Sequence, residues 1–453
     1  REDINLEKTF WSQLPGNFSF LSRMKPTVLR STAALASLHN FPTGNQYSPW
    51  GRAVTLLRTE KGTPYFMNFH DQTNVGTTCI FGDTKSGKTT LLNFLISEAD
   101  KYRPTIVYLI DDMDSGLYIK AKGGKWIQRN KKIINPLICE DTPENREFLI
   151  EFFKIISKHY FDPLKDLEIE LLKSLVDSIF STPKKDRLLS KMIDSIGESS
   201  NAGKSIKSRL QAYRKGELYH GVFEKEEAID LREGEIIAIN LQDFDDDVYT
   251  KSHYPKEKKL LDQFHYNLNI MRSVKAAIAF SAQHIMQNGS QNPKIFAVDN
   301  LQNIVNLEHY QHLIGKITDS MSAIGGVFAS TANTRILKKL YDDKIQQEWV
   351  STINTSFILP SELLPENIDE ILKLENGEVK KLADLSVSSR MFLIRQDNKV
   401  IASELSISGL PALTRFFSSG KEEIDIYKEV VKKCGDTKPE DWVQTFYEKI
   451  DNI

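Results

Sequence analysis

A phosphate-binding loop pattern occupies residues 82 to 89. These residues match G-x-x-x-x-G-K-[ST], with Lys88 and Thr89 in the last two positions. In such a loop, backbone N–H groups and the positive end of the following helix surround a phosphate. The lysine reaches the β- and γ-phosphates, and the final hydroxyl ligates Mg²⁺. The pattern predicts a site for ATP and Mg²⁺, and the candidate nucleotide-binding residues are Gly82, Asp83, Thr84, Lys85, Ser86, Gly87, Lys88, Thr89 and Thr90.

The residues on either side of this pattern have the periodicities that a nucleotide site requires. An apolar, β-branched run covers 77–81, and residues 90–96 carry apolar side chains at helical spacing. Strand, loop and helix therefore follow one another in the order of a phosphate-binding loop. A tight glycine turn before a surface helix is the alternative interpretation, and the buried character of the preceding run argues against it.

Nucleotide hydrolysis also needs a carboxylate at the end of a neighbouring strand, and usually a second acid to orient water. The run 295–298 is apolar and ends in Asp299, which we predict to be a second Mg²⁺ ligand beside Thr89. A helix N-cap is the alternative role for Asp299. The next residue is Asn300, whose amide can hydrogen-bond water but cannot accept its proton. The predicted catalytic residues are Lys88, Asp299 and Asn300.

Composition excludes some classes of function. The chain has 453 residues, 59 basic and 61 acidic, for a net charge of −2, so no global field attracts nucleic acid or an acidic membrane. The three cysteines form no C-x-x-C pair, which favours a reducing compartment. No apolar run approaches the ~20 residues that span a bilayer. The chain begins with Arg1 rather than methionine, so we expect it to be part of a longer protein.

Buried strands at 105–110, 235–241, 294–299, 326–331 and 355–359 alternate with helical patterns, which predicts an α/β fold with a mostly parallel sheet. Long amphipathic stretches between 141 and 215 predict an inserted all-helical lobe. The expected division is a β-rich entry segment at 1–75, a first part of the core at 76–140, the helical lobe at 141–215, a second part of the core at 216–420, and a helical tail at 421–453.

Several motifs resemble the large VirB/TraC/TrwK-type ATPases of bacterial type IV secretion and conjugation systems. They run nearly end to end: 10–17 (FWSQLPGN), 38–42 (LHNFP), 49–51 (PWG), 62–65 (GTPY), 69–70 (FH), 112–116 (DMDSG), 123–124 (GG), 135–137 (NPL), the strand ending at Asp299, 390–393 (RMFL) and 439–442 (PEDW). The resemblance is to the ATPase half of that family. It implies a RecA-like P-loop domain with a helical lobe and ATP-powered assembly or substrate transfer.

The resemblance also implies partners and a location. It implies a homo-oligomer, such as a hexamer, or a hetero-oligomer with a related ATPase, together with other type IV secretion subunits and a secreted protein or DNA substrate. It implies peripheral membrane contact, at the cytoplasmic face of the bacterial inner membrane. The motor would energise secretion or conjugal transfer.

The chain departs from the family pattern at four places. Lys85 stands where the family has glycine, Asn300 where it has the Walker B glutamate, and Thr331 where it has glutamine. Ser322-Ala323 stands where an Arg-Lys pair is expected. Losing one group that orients water or stabilises charge typically costs ~10²-fold in rate. Two interpretations therefore stay open: an ATP-hydrolysing motor subunit, and a scaffold that binds nucleotide without hydrolysing it.

Other charged residues are weaker candidates. Arg209 and Arg214 could supply a charge-stabilising arginine, and solvated surface positions are the alternative. The basic residues Lys120, Lys122, Lys125, Arg129, Lys131 and Lys132 around Trp126 could follow a nucleic-acid backbone, with a solvated hairpin as the alternative. The near-neutral charge argues against a third interpretation, a DNA translocase of the coupling-protein class.

Overall fold

The fold comes from a computed structural model. It describes residues 5–20, 42–110, 116–127, 135–158, 162–214, 223–224, 231–241, 258–287, 292–302, 311–337, 349–361, 364–365, 367–386, 390–397, 399–407, 409–418, 420–434 and 438–451. The chain divides into two compact units, residues 1–42 and 43–453. The described part of the first unit contains helix α1 (Leu6–Trp11) and a short 3₁₀ turn (Phe18–Phe20).

The second unit is built on one large twisted sheet. In the described residues its strands are β3 (Thr55–Thr59), β4 (Pro64–Met67), β5 (Thr77–Gly82), β6 (Thr105–Ile110), β7 (Lys125–Ile127), β8 (Ile236–Asn240), β9 (Lys294–Val298), β10 (Val327–Asn333), β11 (Thr355–Ile358), β12 (Met391–Gln396) and β13 (Lys399–Glu404). They lie in the order β4-β3-β13-β12-β11-β5-β10-β9-β6-β8-β7. A separate short hairpin pairs β1 (Tyr47–Ser48) with β2 (Gly51–Arg52).

Strands β11 to β7 in that order are all parallel, and β3, β4, β12 and β13 extend the sheet in antiparallel fashion. Every residue of β5, β6, β8, β9 and β11 is buried, as expected for a parallel sheet covered on both faces. The predicted α/β class with a mostly parallel sheet is therefore confirmed. Strand β10 lies between β5 and β9, so the carboxyl ends of these three strands meet at one edge.

Helices cover both faces of the sheet. The described helices are α2 (Lys88–Ala99), α3 (Gly116–Ala121), α4 (Pro143–Ile156), α5 (Asp166–Ser181), α6 (Leu189–Ser195), α7 (Asn201–Arg209), α8 (Lys258–Gln287), α9 (Gln311–Ala323), α10 (Ile368–Leu372), α11 (Asn376–Asp384), α12 (Pro411–Ser418), α13 (Lys421–Cys434) and α14 (Pro439–Asp451). Among the described residues, no helix is both long and apolar enough to cross a membrane.

Two hydrophobic cores result, one on each face. Helix α2 buries Leu91, Leu92 and Leu95 in the same cluster as Ile80 of β5 and Tyr108 of β6. On the opposite face, the apolar sides of α4 to α9 share a cluster with the alternate residues of the same strands. The sheet thereby separates the phosphate-loop helix from the helices of residues 143–209.

Candidate functional site

The phosphate-binding loop has the backbone shape that its sequence predicts. It runs from the end of β5 to the first residue of α2, and Gly82 has no room for a Cβ because Ser86 Oγ would collide with it. Gly87 adopts φ +96° and gives α2 no side-chain cap. Lys85 also has a left-handed φ of +66°, a conformation that favours glycine. The N-terminal N–H groups of α2 are thus oriented for a phosphate.

Lys88 lies over this loop. Its Nζ donates to the carbonyl oxygen of Asp83 at 2.7 Å, and the residue is 7% exposed. Burial lowers the pKa of the Lys88 ammonium, while the carboxylates of Asp299 and Asp83 act in the opposite direction. The ammonium therefore sits between the loop and the strand-end carboxylate, within the part of the site where phosphate charge would accumulate.

Asp299 links the loop to the neighbouring strands. It follows β9, is 2% exposed, and accepts a hydrogen bond from Thr89 Oγ1 on Oδ2 at 2.9 Å. Thr331 Oγ1, near the end of β10, donates to Oδ1 at 2.6 Å. The two predicted metal ligands, Thr89 and Asp299, are thus in direct contact although 210 residues separate them. A hydroxyl and a carboxylate suit Mg²⁺, which prefers oxygen ligands and commonly takes only one or two from the protein.

Asn300 begins a second set of contacts at this edge. It has a left-handed φ of +63°, which asparagine tolerates better than most residues. Its N–H donates to Thr331 Oγ1 at 2.8 Å, and its Oδ1 accepts from Gln302 Nε2 at 3.1 Å. Gln302 Oε1 accepts from the N–H of Asn333 at 3.3 Å. The Asn300 side-chain amide group is therefore held by its oxygen, and its Nδ2 has no hydrogen-bond partner among the residues that the structure describes.

Three polar residues of this site were missed by the sequence analysis. Gln302 holds Asn300, and Thr334 Oγ1 donates to Asp83 Oδ1 at 2.9 Å and contacts Ser361 Oγ at 3.0 Å. These contacts tie the ends of β10 and β11 to the phosphate loop. Only the strand order brings them together, so residue spacing along the chain offered no signal for them.

A cavity of about 210 Å³ opens beside the loop. Thr90 and Leu91 of α2 form one wall, and Phe392 of β12 forms part of another. Arg390, just before β12, also lines it and has a φ of +54°. A largely apolar cavity with one cationic residue next to a phosphate loop has the chemistry to accept a nucleotide base.

Comparison with known proteins gives matches along the whole chain. The type IV secretion system protein virB4 of Bartonella henselae is 26% identical over 459 aligned positions, covering 100% of this chain and 55% of the relative. The type IV secretion system protein PtlC of Bordetella pertussis is 23% identical over 98% of this chain and 54% of its own length. The solved structure of VirB4 of Thermoanaerobacter pseudethanolicus superimposes with a TM-score of 0.63 at 13% identity, covering 80% of this chain and 98% of that chain.

The chain is therefore similar over its whole length to VirB4-like proteins of type IV secretion. It spans about half the length of the curated relatives it matches. No protein-family model matches it. The RecA-like P-loop fold expected from the resemblance is confirmed by the likeness to the VirB4 structure.

The two candidate arginines are both engaged in ion pairs with residues of the helical region. Arg209, at the end of α7, is only 4% exposed, so the alternative of a solvated surface position is wrong for this residue. Its guanidinium donates to the carbonyls of Ser157 and Asp162 and lies 3.9 Å from Glu168. Arg214 pairs with Asp194 at the end of α6. A buried guanidinium needs such partners, and they make Arg209 a structural clamp.

The described lysines of the basic stretch around Trp126 are also engaged with other side chains. Residues 116–127 form α3 and the strand β7, which pairs in parallel with β8, so the alternative of a hairpin is wrong within these residues. Lys122 pairs with Asp100 and Lys125 with Glu235. Lys120 lies over the rings of Trp126 and Tyr427. Arg129, Lys131 and Lys132 lie outside the described residues, and the described lysines offer little unpaired charge for a nucleic-acid backbone.

Proposed function

We propose that this chain is the nucleotide-binding ATPase half of a type IV secretion motor subunit, which energises assembly or substrate transfer. The hydrogen bond between Thr89 and Asp299 carries the proposal, because it joins the phosphate loop to the strand-end carboxylate. The similarity over the whole chain supports the same role, since the relatives are named as type IV secretion proteins.

The site residues take distinct roles in this proposal. The N–H groups of the loop and of α2 bind the β-phosphate, and Lys88 exchanges its bond to the Asp83 carbonyl for the β- and γ-phosphate oxygens. Thr89 Oγ1 and Asp299 would hold Mg²⁺, which neutralises phosphate charge when it is bound with the nucleotide. The base enters the cavity between α2 and β12.

Asn300 determines how fast this site can hydrolyse ATP. Phosphoryl transfer depends mainly on positioning and charge stabilisation, so a fixed amide can orient the attacking water through Nδ2. An amide cannot accept the proton of that water, and a carboxylate can. We infer slow hydrolysis. The scaffold interpretation rests on the same residue and predicts nucleotide binding with no turnover at all.

We also propose the partners that the resemblance suggests. The motor assembles as a homo-oligomer, such as a hexamer, or with a related ATPase, and contacts other secretion subunits at the cytoplasmic face of the inner membrane. Sedimentation of the protein with MgATP and with ADP should show self-association that increases with concentration. A strict monomer, both alone and when mixed with a homologous active ATPase, would contradict this proposal.

The nucleotide role is tested by titration calorimetry with MgATP. Replacing Lys88 by alanine removes the charge that faces the β- and γ-phosphates, so we expect the affinity to fall by about two orders of magnitude. Lys428→Ala, which changes an exposed lysine of α13, is the matched control and should bind as the wild type does. Equal affinity in the wild type and Lys88→Ala would overturn the proposed nucleotide site.

A further inference from the structure

A polar pocket lies on the other face of the sheet from α2. Its volume is about 190 Å³, and its polar lining includes Ser351, Ser356, Glu370, Lys373 and Arg395. Ser356 of β11 pairs with Cys79 of β5, whose side chain belongs to the core on the face opposite α2. The pocket is therefore separate from the phosphate loop and its cavity.

Ser356 is a buried hydroxyl without a partner in the described part of the chain. The residue is 0% exposed, and its Oγ makes no hydrogen bond there. Buried polar groups are nearly always hydrogen-bonded, since an unmet bond costs on the order of 1–3 kcal/mol. The hydroxyl lies in the wall of a pocket, where a bound molecule could satisfy it.

Arg395 lies opposite this hydroxyl. It is the Cα partner of Ser356 in the antiparallel pairing of β11 with β12, so the two side chains share one face of the sheet. The guanidinium is half-buried and forms no ion pair or hydrogen bond within the described residues. Burial lowers the pKa of Arg395, and Glu378 opposes that effect electrostatically without pairing with it.

The charged residues that line the pocket carry a net positive charge. Lys373 is exposed at the end of α10 and adds a second cation to the lining, while Glu370 of α10 adds one carboxylate. Two cations, one acid and an unpartnered hydroxyl donor match the requirements of an oxyanion. A guanidinium fork accepts phosphate oxygens in pairs, and the pocket is large enough for such a group.

We propose that this pocket binds a phosphate-sized oxyanion through the Arg395 guanidinium and the Ser356 hydroxyl. The ligand is either free inorganic phosphate or the phosphate group of a nucleotide. Binding would give partners to the buried Ser356 hydroxyl and to the half-buried Arg395 guanidinium, neither of which has one among the described residues. The proposal does not depend on ATP hydrolysis at the phosphate loop.

The test uses Lys88→Ala protein, in which the phosphate loop is disabled, and follows thermal unfolding and calorimetry with inorganic phosphate at constant ionic strength. We expect saturable binding that Arg395→Gln weakens at least about tenfold, because hydrogen bonds between charged groups contribute that much. Arg58→Gln is the matched control, since Arg58 is an exposed strand arginine paired with Glu404. The protein with both Lys88→Ala and Arg58→Gln should bind phosphate as tightly as the protein with Lys88→Ala alone.

Ser356→Ala separates a binding role from a structural one. Removing a hydroxyl without a partner should leave the unfolding temperature unchanged or raised in chloride, and should reduce the phosphate-dependent rise. Competition by ADP in the Lys88→Ala protein would assign the site to nucleotide phosphates, and absence of competition to the free anion. Phosphate binding that is equal in the parent and Arg395→Gln, or absent once Lys88 is replaced, would overturn the proposal.

Discussion

The phosphate loop and the end of β9 differ in how well they suit the two halves of an ATPase cycle. At the loop, Gly82, Gly87, Lys88 and Thr89 have the arrangement that a phosphate-binding loop requires. At the strand end, Asp299 is in place beside Thr89, but Asn300 follows it with an amide instead of an acid. Nucleotide binding and water activation are therefore separable properties of this fold.

The physical reason is that the two regions use different groups. Phosphate binding depends chiefly on backbone N–H groups, which survive changes of most loop side chains, including Lys85 at its left-handed φ. Water activation depends on one side chain with the right proton affinity. A single substitution can thus remove the second function and leave the first.

Among the substitutions that separate nucleotide binding from water activation, Asp299→Asn should have the largest effect on ATP turnover. The change removes the negative charge that faces Thr89 and Lys88, so any turnover should fall by about 100-fold or more. Affinity for ATP measured without Mg²⁺ should change little, since the loop is intact. Asp425→Asn, an exposed aspartate of α13, serves as the control. Turnover that survives Asp299→Asn would place the essential carboxylate elsewhere.

A smaller effect should follow from Gln302→Glu. Glutamate keeps the acceptor for the Asn333 N–H but loses the donor that holds Asn300 Oδ1. Turnover should fall by about three- to tenfold, because a misplaced positioning group costs part of the rate, with MgATP affinity unchanged. Gln444→Glu on α14 is the matched control. A loss of affinity equal to the loss of turnover would show that Gln302 acts on nucleotide binding instead.

The loop and the central strands could be predicted because local signals determine them. Continuous apolar runs marked β5, β6, β8, β9 and β11 to within one or two residues, and the glycines marked the turn into α2. The boundaries of the five expected segments remain a prediction.

Contacts between distant segments could not be predicted. Thr331 touches both Asp299 and Asn300 only because β10 inserts between β5 and β9, and the spacing of residues in the chain carries no trace of that order. Arginine is usually a surface residue. Arg209 is buried because its guanidinium donates to the carbonyl oxygens of Ser157 and Asp162, which lie in other segments of the chain. Both the contacts of Thr331 and the burial of Arg209 therefore depend on packing between segments that are distant in the sequence.

The most direct test of the account measures ATP turnover and MgATP affinity side by side in the wild type and Asn300→Glu. A carboxylate at this position can accept the proton of the attacking water, so turnover should rise at least about tenfold. Affinity should stay within about threefold, because the phosphate loop is unchanged. Asn376→Glu, at the start of α11, is the matched control and should alter neither quantity. Brisk wild-type turnover that is lost with Lys88→Ala but unaffected by Asn300→Glu would contradict the account.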